Sequence, residues 1–266
     1  MKFQIDHDYH IHSTVSSCCH DPEQTTERIL QYAKDNGLRR IILTDHYWDE
    51  TVPDASDWYR KQGFSHISQA LPLPQADGIE FLFGCETDMN KDMTIGIPPE
   101  RWNDFSFVLI PTTHLHMVGF TLPIEEENSH EARAAQWVKR FEALLDMSLP
   151  FDKMGIPHLT CGLFDRRSRE DFLHSLGLVS NDDMERLFAK AATLGCGIEL
   201  NQHDMSFSDA ETDAVLRPYR IAKSYGCKFF LGSDAHSPSG FRDTQAIFER
   251  AVDLLDLSEA DKFQLA

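Results

Sequence analysis

An aspartate and a histidine two residues apart, Asp234 and His236, close the apolar run at 228–232, where both side chains project from the end of a strand to one face. Together a carboxylate and an imidazole are ligands for a borderline divalent ion such as zinc, manganese or iron. The bland alternative, with Asp234 capping the next helix and His236 on a surface loop, would hold for an isolated instance. The pattern recurs instead, with His10 and His12, His46, Glu86, His114 and His116, His158 and Glu199 each ending an apolar run, and with His20 in the loop after the first. Scattered surface histidines would not select strand ends. Of the remaining histidines, His66, His130, His174 and His203 fall in helices or loops, and His7 reads as a structural residue on the outward face of the first strand. More ligands are present than a closed four-ligand structural site takes, so the expectation is a multinuclear metal centre.

Strands must hold these side chains. Residues 5–12 alternate, with Asp6, Asp8, His10 and His12 on one face and His7, Tyr9 and Ile11 on the other; His10 and His12 then lie roughly 7 Å apart along the backbone, close enough to converge on one ion. Asp21-Pro22-Glu23 reads as a helix opening, with Asp as N-cap and Pro at the first position, and Asn36-Gly37 as its stop. Further apolar runs at 39–44, 79–86, 105–113, 154–157, 197–201 and 228–231 bring the total to seven. Helical periodicity or end signals mark 131–147, 169–176, 180–194, 209–225 with a kink at Pro218, and 244–255. Two shorter helices are expected, at 98–103 and near 58–62, the latter inside a Pro- and aromatic-rich excursion (47–78) of the kind that forms lids and binding surfaces. Strands alternating with helices predict an α/β chain, residues 1–266 as a single domain, built as a parallel TIM-like barrel with catalytic groups at the C-terminal strand ends.

A net charge of -18 argues against nucleic acid or an anionic membrane as partner, and bound cations would offset part of it. No apolar run approaches the ~20 residues needed to cross a bilayer, and the first residues lack a signal-peptide core, so the cytoplasm is the expected location. Six cysteines without CxxC spacing are expected to be reduced thiols, although Cys18-Cys19 beside His20 invites a metal reading.

The motifs Asp8-Tyr9-His10-Ile11-His12, Thr44-Asp45-His46, Gly84-Cys85-Glu86, His158, Glu199-Leu200-Asn201 and Gly232-Ser233-Asp234-Ala235-His236, in this order along essentially the whole chain, resemble those of the PHP (polymerase and histidinol phosphatase) superfamily. The resemblance implies a distorted seven-stranded (β/α) barrel with up to three divalent ions. It implies that His10, His12, Glu86 and Asp234 hold one ion, with Glu86 bridging to a second held by His158 and one of His114 or His116, and that His20, His46 and His236 hold the third. The Cys18-Cys19 pair and the long excursion depart from the family pattern.

Clustered divalent ions lower the pKa of bound water and neutralise a phosphoryl group under attack, so hydrolysis of a small-molecule phosphate monoester by a metal-bound hydroxide is the expected reaction. Asp234 or His236 would protonate the leaving group, alongside Glu86 in the catalytic set. Arg166, Arg167 and Arg242 are candidate phosphate clamps, and Glu199 and Asn201 candidate substrate or supporting contacts. An amide or lactone hydrolase on a similar barrel is the alternative, weakened by the lack of a strand-end lysine to carry a carbamylated bridge. A non-catalytic metal-binding regulator comes third.

Overall fold

The computed structural model describes residues 1–124 and 129–265. Each of the seven apolar runs forms strand. The first is β1 (His7–Ile11); the second is split into β2 (Arg40–Leu43) and β3 (His46–Tyr47), and the third into β4 (Glu80–Phe83) and β5 (Cys85–Thr87). Then follow β6 (Val108–Leu109), β7 (Met154–Ile156), β8 (Gly197–Asn201) and β9 (Lys228–Gly232). All pairings are parallel, in the orders β1-β2-β4 and β3-β5-β6-β7-β8-β9. At the break between β4 and β5 stands Gly84, where a Cβ would sit 2.5 Å from the Phe107 carbonyl oxygen, so the chain passes this close to its neighbour only as glycine. At the C-terminal ends β9 returns to β1, where the Asp234 N–H donates to the His10 carbonyl at 2.7 Å and the His12 N–H to the Ala235 carbonyl at 3.1 Å. These two bonds set Asp234 beside His10 and His12.

Inside the ring Tyr9, Ile42, Phe107, Leu109 and Phe230 pack together, joined by Phe263 and Leu265 of the C-terminal segment. The rings leave no room opposite them. A Cβ on Gly155 or Gly197 would fall 2.4 and 2.8 Å from the Phe230 ring, so these strands carry glycine where aromatic residues cross. The outward residues of the strands, among them Ile41, Leu43, Val108, Ile198 and Phe229, bury against the surrounding helices in the main core.

Those helices are α1 (Thr26–Asp35), α2 (Phe64–Ile67), α3 (His130–Asp146), α4 (Arg169–Leu178), α5 (Asn181–Leu194), α6 (Thr212–Ser224) and α7 (Thr244–Leu254). Serine caps open three of them, since Ser129, Ser168 and Ser180 accept the N–H groups of Ala132, Asp171 and Asp183. Gly195 ends α5 at φ 83°, as its sequence signal predicts. The opening of α1 differs from expectation. Its N-cap is Thr25, not Asp21: residues 21–24 form a turn closed by the Gln24 N–H on the Asp21 carbonyl, and the buried Gln24 side-chain amide donates to the His12 and Ala235 carbonyls, which ties this turn to the strand ends ahead of the helix.

Strand β1 also departs from simple alternation. Its register against β2 shifts between Asp8 and Ile11, and in consequence Asp8 turns outward to accept the Tyr32 hydroxyl of α1, Tyr9 packs inside the ring, and His10 still faces the strand ends. His7 is buried rather than outward: its Nε2 accepts the Leu231 N–H at 3.1 Å and its Nδ1 donates to Asp6. It lies away from the metal-ligand candidates, as expected of a structural residue.

Candidate metal centre

Glu86, carried by β5 and buried at the centre of the strand ends, divides its two oxygens between two sets of imidazoles. Its Oε2 lies 3.3 Å from His10 Nε2, 3.4 Å from His12 Nε2 and 3.2 Å from His46 Nδ1. Its Oε1 lies 3.0 Å from His158 Nε2 and 4.0 Å from His114 Nε2. Asp234 Oδ1 completes the first set, 3.4 Å from His10 Nε2 and 3.2 Å from His12 Nε2. Ligand atoms within 4.8 Å of one another define the groups His10/His12/Asp234, His10/Glu86/His158 and His12/Cys18/His46/His236.

Two of these residues hold backbone conformations that side chains rarely adopt: His158 at φ 33° and Asp234 at φ 53°. The surroundings keep them there. The His158 N–H donates to Glu199 Oε2 at 2.7 Å and the Thr113 hydroxyl to the His158 carbonyl at 3.0 Å, while Ser233 bonds Asp8 and His10 beside Asp234.

The hydrogen bonds on the far side of each ring test whether the donor set suits a cation. His10 Nδ1 donates to Glu199 Oε1 at 2.8 Å and His114 Nδ1 to Asp88 Oδ2 at 2.8 Å. The Thr113 hydroxyl spends its proton on the His158 carbonyl, so at 3.2 Å it accepts from His158 Nδ1. In the neutral rings of His10, His114 and His158 the Nε2 therefore presents a lone pair toward the Glu86 carboxylate, an arrangement of acceptors against acceptors that needs positive charge between them. The electrostatics agree. Burial pushes His10 toward neutrality, but Asp234, Glu199 and Glu86 outweigh it and hold the imidazole up at about 10. Burial would raise Glu86 and Asp234, yet the imidazoles, with His10 foremost for Asp234 and His46 for Glu86, hold both well below the usual carboxylate range. Divalent ions would supply that charge, and the N/O donor set suits zinc, manganese or iron.

Of the other residues expected from the sequence, Glu199 is buried beneath His10 and steadied by Asn201 Nδ2 at 3.1 Å. The structure brings His114 closer than His116 to Glu86; the His116 ring meets that of His114 edge-on at 5.3 Å and borders the cavity. It does not bring in His20, which is exposed, whereas Cys18 of the same loop joins His12, His46 and His236. Arg166 lines a cavity of about 600 Å³ with His158, Asn201 and Asp234, next to a cavity of about 380 Å³ over the centre itself. Arg167 turns instead to Asp165 and His130, and Arg242 is exposed, its carbonyl accepting from Gln202. Asp88, which orients His114, and the buried Arg140 behind it escaped the sequence reading, although Asp88 follows Glu86 at strand spacing. Trp58 and Tyr59 of the excursion border the smaller cavity.

The family model described as "PHP domain" matches residues 8–233. The chain is 25% identical over 256 residues to a "probable histidinol-phosphatase" of Deinococcus radiodurans, covering 91% of both proteins. Its fold resembles the crystal structure of histidinol phosphate phosphatase from Lactococcus lactis subsp. lactis, complexed with zinc, L-histidinol and phosphate, at a TM-score of 0.59 and 16% identity, covering 92% of this chain and 93% of that one.

Proposed function

Because the chain belongs to the PHP domain family and is a metal-dependent phosphoesterase of histidinol-phosphatase type, we propose that it hydrolyses a small-molecule phosphate monoester at a di- or trinuclear centre. The observation that carries the proposal is Glu86, whose oxygens each face a different pair or trio of imidazoles, the disposition of a carboxylate shared by two cations. His10, His12 and Asp234 would hold one ion, and His158 with His114 the other, with His116 as a cavity-wall residue. His46 and His236 would serve a third. Divalent ions at these positions supply positive charge against the phosphoryl oxygens and acidify water for attack.

The remaining work falls to the chain's own groups. Glu199, Asp88 and Thr113 keep the far nitrogens of His10, His114 and His158 protonated, so that the near nitrogens stay available as ligands. Asp234 borders both cavities, so a leaving group seated in the larger one departs past its carboxylate, with His236 on the other side. Arg166 is the arginine placed to meet phosphate or leaving group from that larger cavity, and Asn201 lines the same wall. The zinc, L-histidinol and phosphate of the Lactococcus protein accord with an amino-alcohol phosphate as substrate.

Glu86→Gln tests the proposal, because it keeps the size and removes the shared charge. Metal content and phosphate release from an aryl phosphate should fall together, the latter by at least ~100-fold, since loss of a supporting contact alone typically costs 10–100-fold. A folded Glu86→Gln protein with full metal content and rate would end the bridging role.

A further inference from the structure

To one side of Glu86, two of its imidazole partners, His12 and His46, gather with Cys18 and His236, the ligand atoms of all four lying within 4.8 Å of one another. The rings pack on one another, with His12 stacked on His46 at 4.5 Å and on His236 at 4.3 Å between centroids. His236 Nδ1 donates to the Asp234 carbonyl at 2.8 Å, which leaves Nε2 with a lone pair. Cys18 is only half-buried and lines the cavity over the centre. Its loop is fixed on three sides. Ser13 donates twice to the buried Asp45, Ser16 Oγ accepts the His46 N–H at 3.0 Å, and the Ser17 N–H donates to the buried Gln62 at 2.8 Å.

From this we infer that the third ion is bound by the Cys18 thiolate together with His46 and His236, with His12 left to the first ion and His20 outside the ligand set, and that the site is selective for a thiophilic cation. The inference rests on the metal centre proposed above and narrows which metal one part of it takes. A nitrogen-and-sulfur set favours zinc, cobalt(II) or iron(II) over magnesium and manganese, which prefer oxygen donors. Binding deprotonates the thiol, so one proton is released as the sulfur–metal bond forms. The neighbouring Cys19 is not in the set.

Cobalt(II) reads the coordination directly, independently of hydrolysis. Chelated protein titrated with cobalt(II) should develop a near-ultraviolet thiolate-to-cobalt charge-transfer band that Cys19→Ala retains and Cys18→Ser loses, with visible cobalt absorption from the remaining ions preserved. A wild-type protein that binds cobalt in the visible without the charge-transfer band would refute the thiolate ligand and leave the phosphoesterase reading standing; a protein that binds no cobalt would refute both. Alkylation of the wild-type chain answers the same question without a variant. Added zinc should protect Cys18 from iodoacetamide and magnesium should not, whereas equal labelling under the two ions would overturn the inference.

Discussion

Glu199 never touches the cavity over the centre, yet both its oxygens are committed, one to His10 Nδ1 and the other to the His158 N–H. Glu199→Gln should therefore lower metal affinity by about 10–100-fold, read by competition with a chelator, while leaving the fold intact. Gly232 tests the same support from the backbone side. A Cβ there would lie 1.9 Å from Glu199 Oε1 and 2.7 Å from His10 Cβ, so Gly232→Ala should displace the carboxylate and reproduce the Glu199→Gln loss of metal. A Gly232→Ala protein with native metal affinity would show that the Glu199–His10 bond does not set the ligand's orientation. Residue types and strand-end positions made most of this cluster legible in the sequence, because a ligand at a strand end needs little beyond its strand. The exception was the 13–20 loop, where choosing between Cys18 and His20 depends on the pins at Asp45 and Gln62, which come from distant parts of the chain. Arg167 and Arg242 show the same limit: their charge was visible, their partners were not.

The elements succeed as carriers of the site for reasons that are local at the helix ends and non-local inside the ring. Apolar periodicity marked α3 and local end signals, Gly195 among them, marked α5 in the sequence alone, whereas the shifted register of β1, which sets Tyr9 in the interior with Phe107 and Phe230, depends on residues far along the chain. Gly155→Ala should overpack that interior against Phe230 and cost about 1–3 kcal/mol in denaturant unfolding. Behind the centre, Arg140 of α3 is buried and donates to the carbonyls of Thr112, Asn90, Thr121 and Met89 while pairing with Asp88. Arg140→Met leaves those acceptors and a buried carboxylate unmatched, so a loss of about 3–5 kcal/mol is expected, together with weaker metal binding through the Asp88–His114 bond. Unchanged stability would mean that water replaces the guanidinium at no cost.

For the whole molecule, buried charge sets how stability depends on pH. Asp204 is buried, accepts the Thr160 N–H and the Tyr219 hydroxyl, and has Oδ1 without a partner; burial, the largest effect, pushes its carboxyl up to about 6. Between the unfolded value of about 3.9 and that folded value the native chain holds the extra proton, so this group's contribution is full below about 4 and is lost as pH rises through 6. In chelated protein, Asp204→Asn should lack that component of the decline, and identical unfolding curves across this window would show that Asp204 does not titrate there. Among the described residues no helix is long and apolar enough to cross a membrane. A chain with net charge -18 that gathers carboxylates, imidazoles and a thiol at one end of its strands is built to be completed by cations. Phosphate release from an aryl phosphate, followed in protein stripped by a chelator and then resupplied with zinc or manganese, measures that dependence directly: activity should vanish on stripping and return with the metal, and full activity in the metal-free chain would refute a metal-dependent phosphoesterase.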